Sequence, residues 1–131
     1  MTSNLNTAIQ TEYDAAIMIF CLIALADNEV LGEEIAEIHS EVELLGLDQF
    51  SDFKNYKISN WSHFIANLQH IAPNITLEHI NNELENLATK IESESIRRSV
   101  LSSVMRIAYA DGEYHPNEKI LFKQLSELWG I

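Results

Sequence analysis

Two short acidic segments contain the side chains that are the best candidates for binding a ligand. Each has the pattern Asp-x-Glu followed, after four residues, by a second Glu, and the pattern recurs at a constant distance of 84 positions. Carboxylate-only ligand sets suit hard cations, so these residues are candidate ligands for calcium, magnesium or manganese. The candidates are Asp27, Glu29 and Glu34 in the first segment, and Asp111, Glu113 and Glu118 in the second.

The same acids also have a purely structural explanation. The Asp of each segment stands where a predicted helix ends, and the helix dipole disfavours an anion there by roughly 0.3–1 kcal/mol. Amides at the start of the following helix could offset this cost by donating hydrogen bonds, and Glu34 or Glu118 suits that place. Helix capping, a bound cation and an acidic surface for a partner are three open explanations of these residues.

A second group of acids follows the first segment along the chain. Glu33, Glu37 and Glu41 are spaced four residues apart, so they share one face of a predicted helix. That helix contains no Lys or Arg at pairing distance, and like charges at this spacing are destabilising. We therefore expect these three acids to form a binding surface for a basic protein partner.

The charge is distributed unevenly along the chain. The first 53 residues contain eleven acids and no Lys or Arg, whereas the remaining residues carry nine acids and eight bases. A net charge of −12 argues against binding to DNA, RNA or anionic membranes, all of which need basic groups. It favours divalent cations or a basic partner surface.

No constellation typical of an enzyme is present in the sequence. The serines lack a nucleophile elbow and a paired histidine, and there is no glycine-rich phosphate loop. The Glu-x-x-His pairs of di-metal oxidases are also absent. We expect no catalytic residues, and His115 is expected to be a loop or N-cap residue.

The elements that must position the acids are predicted to be helices. Apolar residues recur at helical spacing on both sides of each acidic segment, and no segment shows a sustained strand alternation. Asn28 and Gly112 suit the left-handed conformation that ends a helix, and Ile120, Leu128 and Tyr109 are expected in the core. The predicted helices are Asn6–Ala26, Glu33–Leu45, two short helices over Asp48–Tyr56 and Ser59–Ile71, a helix starting at Thr76, Glu92–Ala110 and a helix with Pro116 in its first turn.

These features predict an all-α fold in one domain spanning residues 1–131. We expect a compact helical bundle with two pseudo-symmetric helix–turn–helix halves, because the acidic turn and its flanking helices occur twice. The apolar run Ala15–Ala26 is 12 residues long, whereas a membrane span needs about 20. A single cysteine, Cys21, allows no intramolecular disulfide and fits a reducing compartment.

The acidic segments resemble the signature of the TerB-like tellurite-resistance domains. Ala-Asp-Gly-Glu followed by Pro-x-Glu, at Ala110–Glu118, carries the resemblance, and Ala26–Glu34 resembles it in a second copy. The resemblance implies a compact helical domain, cytoplasmic or at the inner face of the membrane, whose six acids bind a metal, and a link to tellurite and other stress responses with membrane-associated partners. Our leading hypothesis is a non-enzymatic, cytoplasmic domain that acts as a sensor or adaptor. Asn28 replaces the usual Gly, which implies a weaker or only structural first turn; the oligomeric state is not indicated.

Overall fold

The described part of the computed structural model comprises residues 3–26, 28, 32–44, 66, 69–70, 72–110, 112 and 115–131. Most of these residues are helical and none of them forms a strand, which confirms the all-α prediction. A short 3₁₀ turn, Ala72–Asn74, precedes the third helix. The α-helices are α1 (Ser3–Leu25), α2 (Gly32–Leu44), α3 (Leu77–Thr89), α4 (Glu94–Ala108) and α5 (Pro116–Trp129).

Helix α1 is the central element of the bundle. It packs against α2, α3 and α4, while α5 packs against α3 and α4. The run Ala15–Ala26 contains no charged residue, so almost every side of this helix must be covered by neighbours. Every residue of the run is buried except Met18, which is 42% exposed. Among the described residues, no helix combines the length and apolarity needed to cross a membrane.

Three apolar residues that the sequence placed in the core lie on the surface instead. Ile120, Leu128 and Tyr109 are 47%, 41% and 51% exposed. The buried stripe of α5 runs through residues spaced three and four apart, and Ile120 and Leu128 lie beside that stripe rather than within it. Tyr109 is the C-cap of α4, beyond the last buried turn. The buried stripe comprises Glu118, Leu121, Leu125 and Trp129.

The helices that follow the two acidic segments begin at equivalent positions. Helix α2 begins at Gly32 and α5 begins at Pro116, and these residues are 84 positions apart, as are the acidic patterns. Proline has no backbone N–H and a fixed φ, so it suits the first helical position. The local correspondence agrees with a duplicated helix start, while the pseudo-symmetry of the two halves stays a prediction.

Candidate site at the two acidic turns

The helices that lead into the acidic turns end with the same backbone geometry. Asn28 has a φ of +66° and Gly112 a φ of +87°, so both adopt the left-handed conformation predicted for them. The amide of Asn28 donates to the carbonyl of Leu25 at 3.0 Å. The amide of Gly112 donates to the carbonyl of Tyr109 at 2.9 Å, which repeats this hydrogen bond 84 positions later.

The structure describes two of the six candidate metal ligands. Glu34 and Glu118 lie in the first turns of α2 and α5, and each is only 1% exposed. Carboxylates are seldom buried to this degree unless they are paired or hydrogen-bonded. The other four candidates, Asp27, Glu29, Asp111 and Glu113, lie outside the described residues.

Glu118 contributes to the capping of α5. Its Oε1 accepts a hydrogen bond from the backbone N–H of His115 at 3.2 Å, and His115 is the N-cap residue of the helix, as predicted. A carboxylate in the first turn also interacts favourably with the positive end of the helix dipole. The capping explanation therefore applies to Glu118, and it does not exclude a further role for the second carboxylate oxygen.

A direct hydrogen bond joins the two acidic segments. The side-chain amide of Asn117 donates from Nδ2 to the backbone carbonyl of Ala26 at 2.8 Å, across 91 positions of sequence. Ala26 precedes Asp27 in the chain, and Asn117 precedes Glu118. The end of α1 and the start of α5 therefore meet in the folded protein. Sequence alone could not show this meeting, because neither the repeat nor the spacing specifies a contact between distant segments.

The first turn is also joined to the segment that precedes α3. Asn28 donates from Nδ2 to the carbonyl of Ala72 at 2.9 Å and to the carbonyl of Ile75 at 2.7 Å. A glycine at this position could adopt the same φ but could not make these bonds. An asparagine at this position therefore fixes the turn to the segment before α3. Ile75 also borders an open cavity of about 490 Å³, and its described lining includes His70, Asn74, Thr76 and His79.

The acids expected to form a partner surface on α2 have three different environments. Glu33 is exposed, Glu37 is partly buried and Glu41 is 2% exposed. Glu41 accepts hydrogen bonds from Ser103 Oγ at 2.8 Å, Arg106 Nε at 2.8 Å and Arg106 Nη2 at 2.6 Å. The base that α2 lacks is therefore supplied by α4, and the Glu41 carboxylate is engaged within the chain.

Glu37 and Glu41 share one electrostatic environment. A hydrogen bond to Glu41, together with burial and the negative charge of Glu41, raises the pKa of Glu37 to about 7. Burial opposes ionisation of Glu41, but hydrogen bonds from Arg106, Glu37 and Ser103 outweigh it and lower its pKa to about 2. Between these values Glu41 is the anion and Glu37 carries the proton of the pair.

The chemistry of the acidic turns fits a hard cation better than a soft one. The described members, Glu34 and Glu118, offer carboxylate oxygens, which are the preferred ligands of calcium, magnesium and manganese. Among the described residues, no group of three or more His, Cys, Asp or Glu side chains is placed to hold a metal ion. A site at these turns would therefore need the four candidate acids outside the described residues, Asp27, Glu29, Asp111 and Glu113.

Comparison with known proteins identifies one family. The family model described as Tellurite resistance protein TerB matches residues 65–131, which is just over half of the chain. The matched region contains α3, α4 and α5 together with the second acidic segment, and it leaves out the first. No curated protein and no solved structure matches the chain.

Proposed function

The chain belongs to the TerB family of tellurite-resistance proteins, and we propose that it is a non-enzymatic domain that binds a divalent cation through its two acidic turns. The proposed ligands are the six acids of the repeated pattern, with calcium, magnesium or manganese as the cation. A role as a sensor or adaptor in a cytoplasmic tellurite or stress response is part of the proposal and rests on the family.

The observation that carries the proposal is the hydrogen bond from Asn117 to Ala26. It brings a residue adjacent to Asp27 into contact with a residue adjacent to Glu118. Ala26 at the end of α1 and Asn117 at the start of α5 thereby lie together, and repulsion between carboxylates near this contact would grow as they lose contact with water. A divalent cation would offset that repulsion and would be attracted by the net charge of −12.

The proposal is tested by the melting temperature of metal-stripped protein titrated with calcium, magnesium, manganese and zinc at constant ionic strength. A ligand that binds only the folded state at 100 times its Kd adds about 2.7 kcal/mol, which corresponds to a shift of several degrees. We expect a saturable shift with a hard cation. Asp111→Asn and Glu118→Gln should reduce that shift strongly.

Glu78→Gln is a matched control for this experiment. Glu78 is also an acid in the first turn of a helix, α3, and it is exposed and lies outside both acidic segments. Its replacement should leave the cation-induced shift intact. Absence of a shift with every cation, or an undiminished shift in Asp111→Asn, would contradict the proposed site.

A second candidate function is an acidic interaction module that works without metal. The observation that favours it is that Glu33 and Glu43 are exposed at the two ends of α2, within the first 53 residues, which contain no Lys or Arg; His39 Nδ1 lies 3.3 Å from Glu43 Oε1. A basic, membrane-associated protein is the partner that this surface and the family favour. Binding of a basic peptide should weaken steeply with salt, because exposed charges are screened within about 10 Å at 0.1 M. Salt-insensitive binding would count against this function.

A further inference from the structure

We propose that Asn117 is a positioning residue, whose side-chain amide holds the first acidic turn against the second. This inference deepens the proposed function and rests on it where cation affinity is concerned. The structural part concerns the chain's own hydrogen bonds and is testable without any metal. It assigns to Asn117 a role that neither helix propensity nor the acidic pattern requires.

The acceptor of this bond is a carbonyl that needs an external donor. Helix α1 ends at Leu25, and the last carbonyls of a helix have no intrahelical partner. Ala26 is only 2% exposed, so solvent has little access to this residue. A buried carbonyl without a hydrogen bond is costly, and Asn117 satisfies this one from another helix at 2.8 Å.

The donor is held in place by its neighbours in the first turn of α5. Pro116 occupies the first helical position with a restricted φ, and Asn117 follows it. On the other side, the Glu118 carboxylate is fixed by the N–H of His115. Because the backbone on both sides of Asn117 is restrained, its side-chain amide moves with α5. The hydrogen bond to Ala26 therefore fixes the end of α1 relative to α5.

The bond has no equivalent in the other direction. The residue 84 positions before Asn117 is Glu33, which is exposed at the start of α2, and the equivalent of Ala26 is Ala110. The side chain of Glu33 has no amide N–H, so it lacks the donor with which Asn117 binds the carbonyl of Ala26. The first turn is therefore positioned by the second, while the second receives no such bond from Glu33.

Amide hydrogen exchange on metal-free protein tests the structural part. The probe is the amide of Asn28, which lies in the first turn and is bonded to the carbonyl of Leu25. In Asn117→Ala and in Asn117→Asp, exchange at Asn28 should accelerate by roughly tenfold relative to core amides such as that of Val104, the size expected for one lost hydrogen bond. Asn82→Ala, at an exposed position on α3, is the matched control and should change neither amide.

A manganese titration of the same variants tests the link to the proposed site. If the wild-type protein binds manganese, the Asn117 variants should bind it about tenfold more weakly, and Asn82→Ala should bind it normally. Faster exchange at Asn28 in a protein whose wild type binds none of manganese, calcium and magnesium would refute the proposed function and support the positioning role. Exchange at Asn28 that changes no more than exchange at Val104 would overturn the positioning role. Unchanged manganese affinity in variants with faster exchange would overturn its link to the site.

Discussion

Glu41 holds a negative charge at a position that is 2% exposed, and its neighbours explain how the protein tolerates it. Arg106 binds both carboxylate oxygens, and Ser103 donates to one of them. Glu37, one turn earlier on α2, forms a hydrogen bond with the same carboxylate. This arrangement links α2 to α4, so its protonation state should affect the stability of the fold.

The two carboxyl groups contribute to stability in opposite pH ranges. The pKa of Glu37 is raised from 4.5 to about 7, so its contribution is complete below pH 4.5 and is lost as the pH rises through about 7. The pKa of Glu41 is lowered from 4.5 to about 2, so its contribution is present above pH 4.5 and is lost as the pH falls towards 2. Together they favour maximal stability near pH 5.

Glu37→Gln should flatten the pH dependence of stability on the neutral side of this maximum. In the wild type we expect the free energy of unfolding to fall by about 1 kcal/mol between pH 5 and pH 7.5, because solvent screens a group that is only partly buried. The glutamine variant should lose most of this fall, as measured by urea unfolding at a series of pH values. Glu33→Gln, on an exposed residue of the same helix, should retain it; equal slopes in both variants would rule out Glu37 as the titrating group.

At the scale of the helices, the features that the sequence predicted well are those specified by neighbouring residues. Gly112 and Asn28 adopt the predicted left-handed conformation, and Pro116 opens α5 as expected. Helix α4 begins at Glu94, two residues later than predicted, because the hydroxyl of Ser93 accepts a hydrogen bond from Ile96 N and caps it. These are local effects of side-chain and backbone chemistry within one turn.

The features that the sequence could not supply depend on residues far apart in the chain. Asn28 is held by carbonyls 44 and 47 positions away, and Glu41 is paired with a base 65 positions away. Composition and periodicity specify which face of a helix is apolar, but they do not specify which helices meet there. The contact between Asn117 and Ala26 belongs to the same class, and it is the contact on which the candidate site depends.

The two turn-flanking glycines should respond to alanine in opposite ways. At Gly32 the helix begins and a Cβ would meet no atom within 4 Å. Gly32→Ala should therefore stabilise the protein by about 0.4–1 kcal/mol, because alanine lowers the conformational entropy of the unfolded chain. At Gly112 the φ of +87° disfavours any Cβ, so Gly112→Ala should destabilise it by about 1–2 kcal/mol. Gly112→Asn should cost less than Gly112→Ala, because asparagine tolerates this region, as Asn28 does. Urea unfolding measures all three, and equal effects at the two sites would contradict the assigned backbone conformations.

At the scale of the whole molecule, the excess of negative charge destabilises the folded state, and any bound cation would reduce this destabilisation. The net charge of −12 comes almost entirely from the first 53 residues, which have no base of their own. Self-repulsion of this kind destabilises a compact state and is weakened by dissolved salt. A stabilising effect of a divalent cation therefore has two possible origins, specific binding at the acidic turns and general screening, and these must be separated.

A matched pair of serine-to-lysine variants measures how strongly the charges around a surface position affect the stability of the protein. Ser40 is exposed on α2, three residues from both Glu37 and Glu43, whereas Ser102 is exposed on α4, four residues from both Arg98 and Arg106. Both substitutions change the net charge equally, but Ser40→Lys adds favourable neighbours and Ser102→Lys adds repulsive ones. We expect Ser40→Lys to stabilise the protein by about 0.5 kcal/mol and Ser102→Lys to destabilise it by a similar amount.

Sodium chloride should reduce the difference between these two variants, because the screening length falls from about 10 Å at 0.1 M to about 3 Å at 1 M. The same titration on the wild type measures how much of any divalent-cation effect is screening alone. If sodium chloride at matched ionic strength reproduces the cation-induced shift in melting temperature, the shift reports the general field of the acidic half. If the shift exceeds that of sodium chloride and is lost in Asp111→Asn, screening is not its cause, and the cation is bound at the acidic turns.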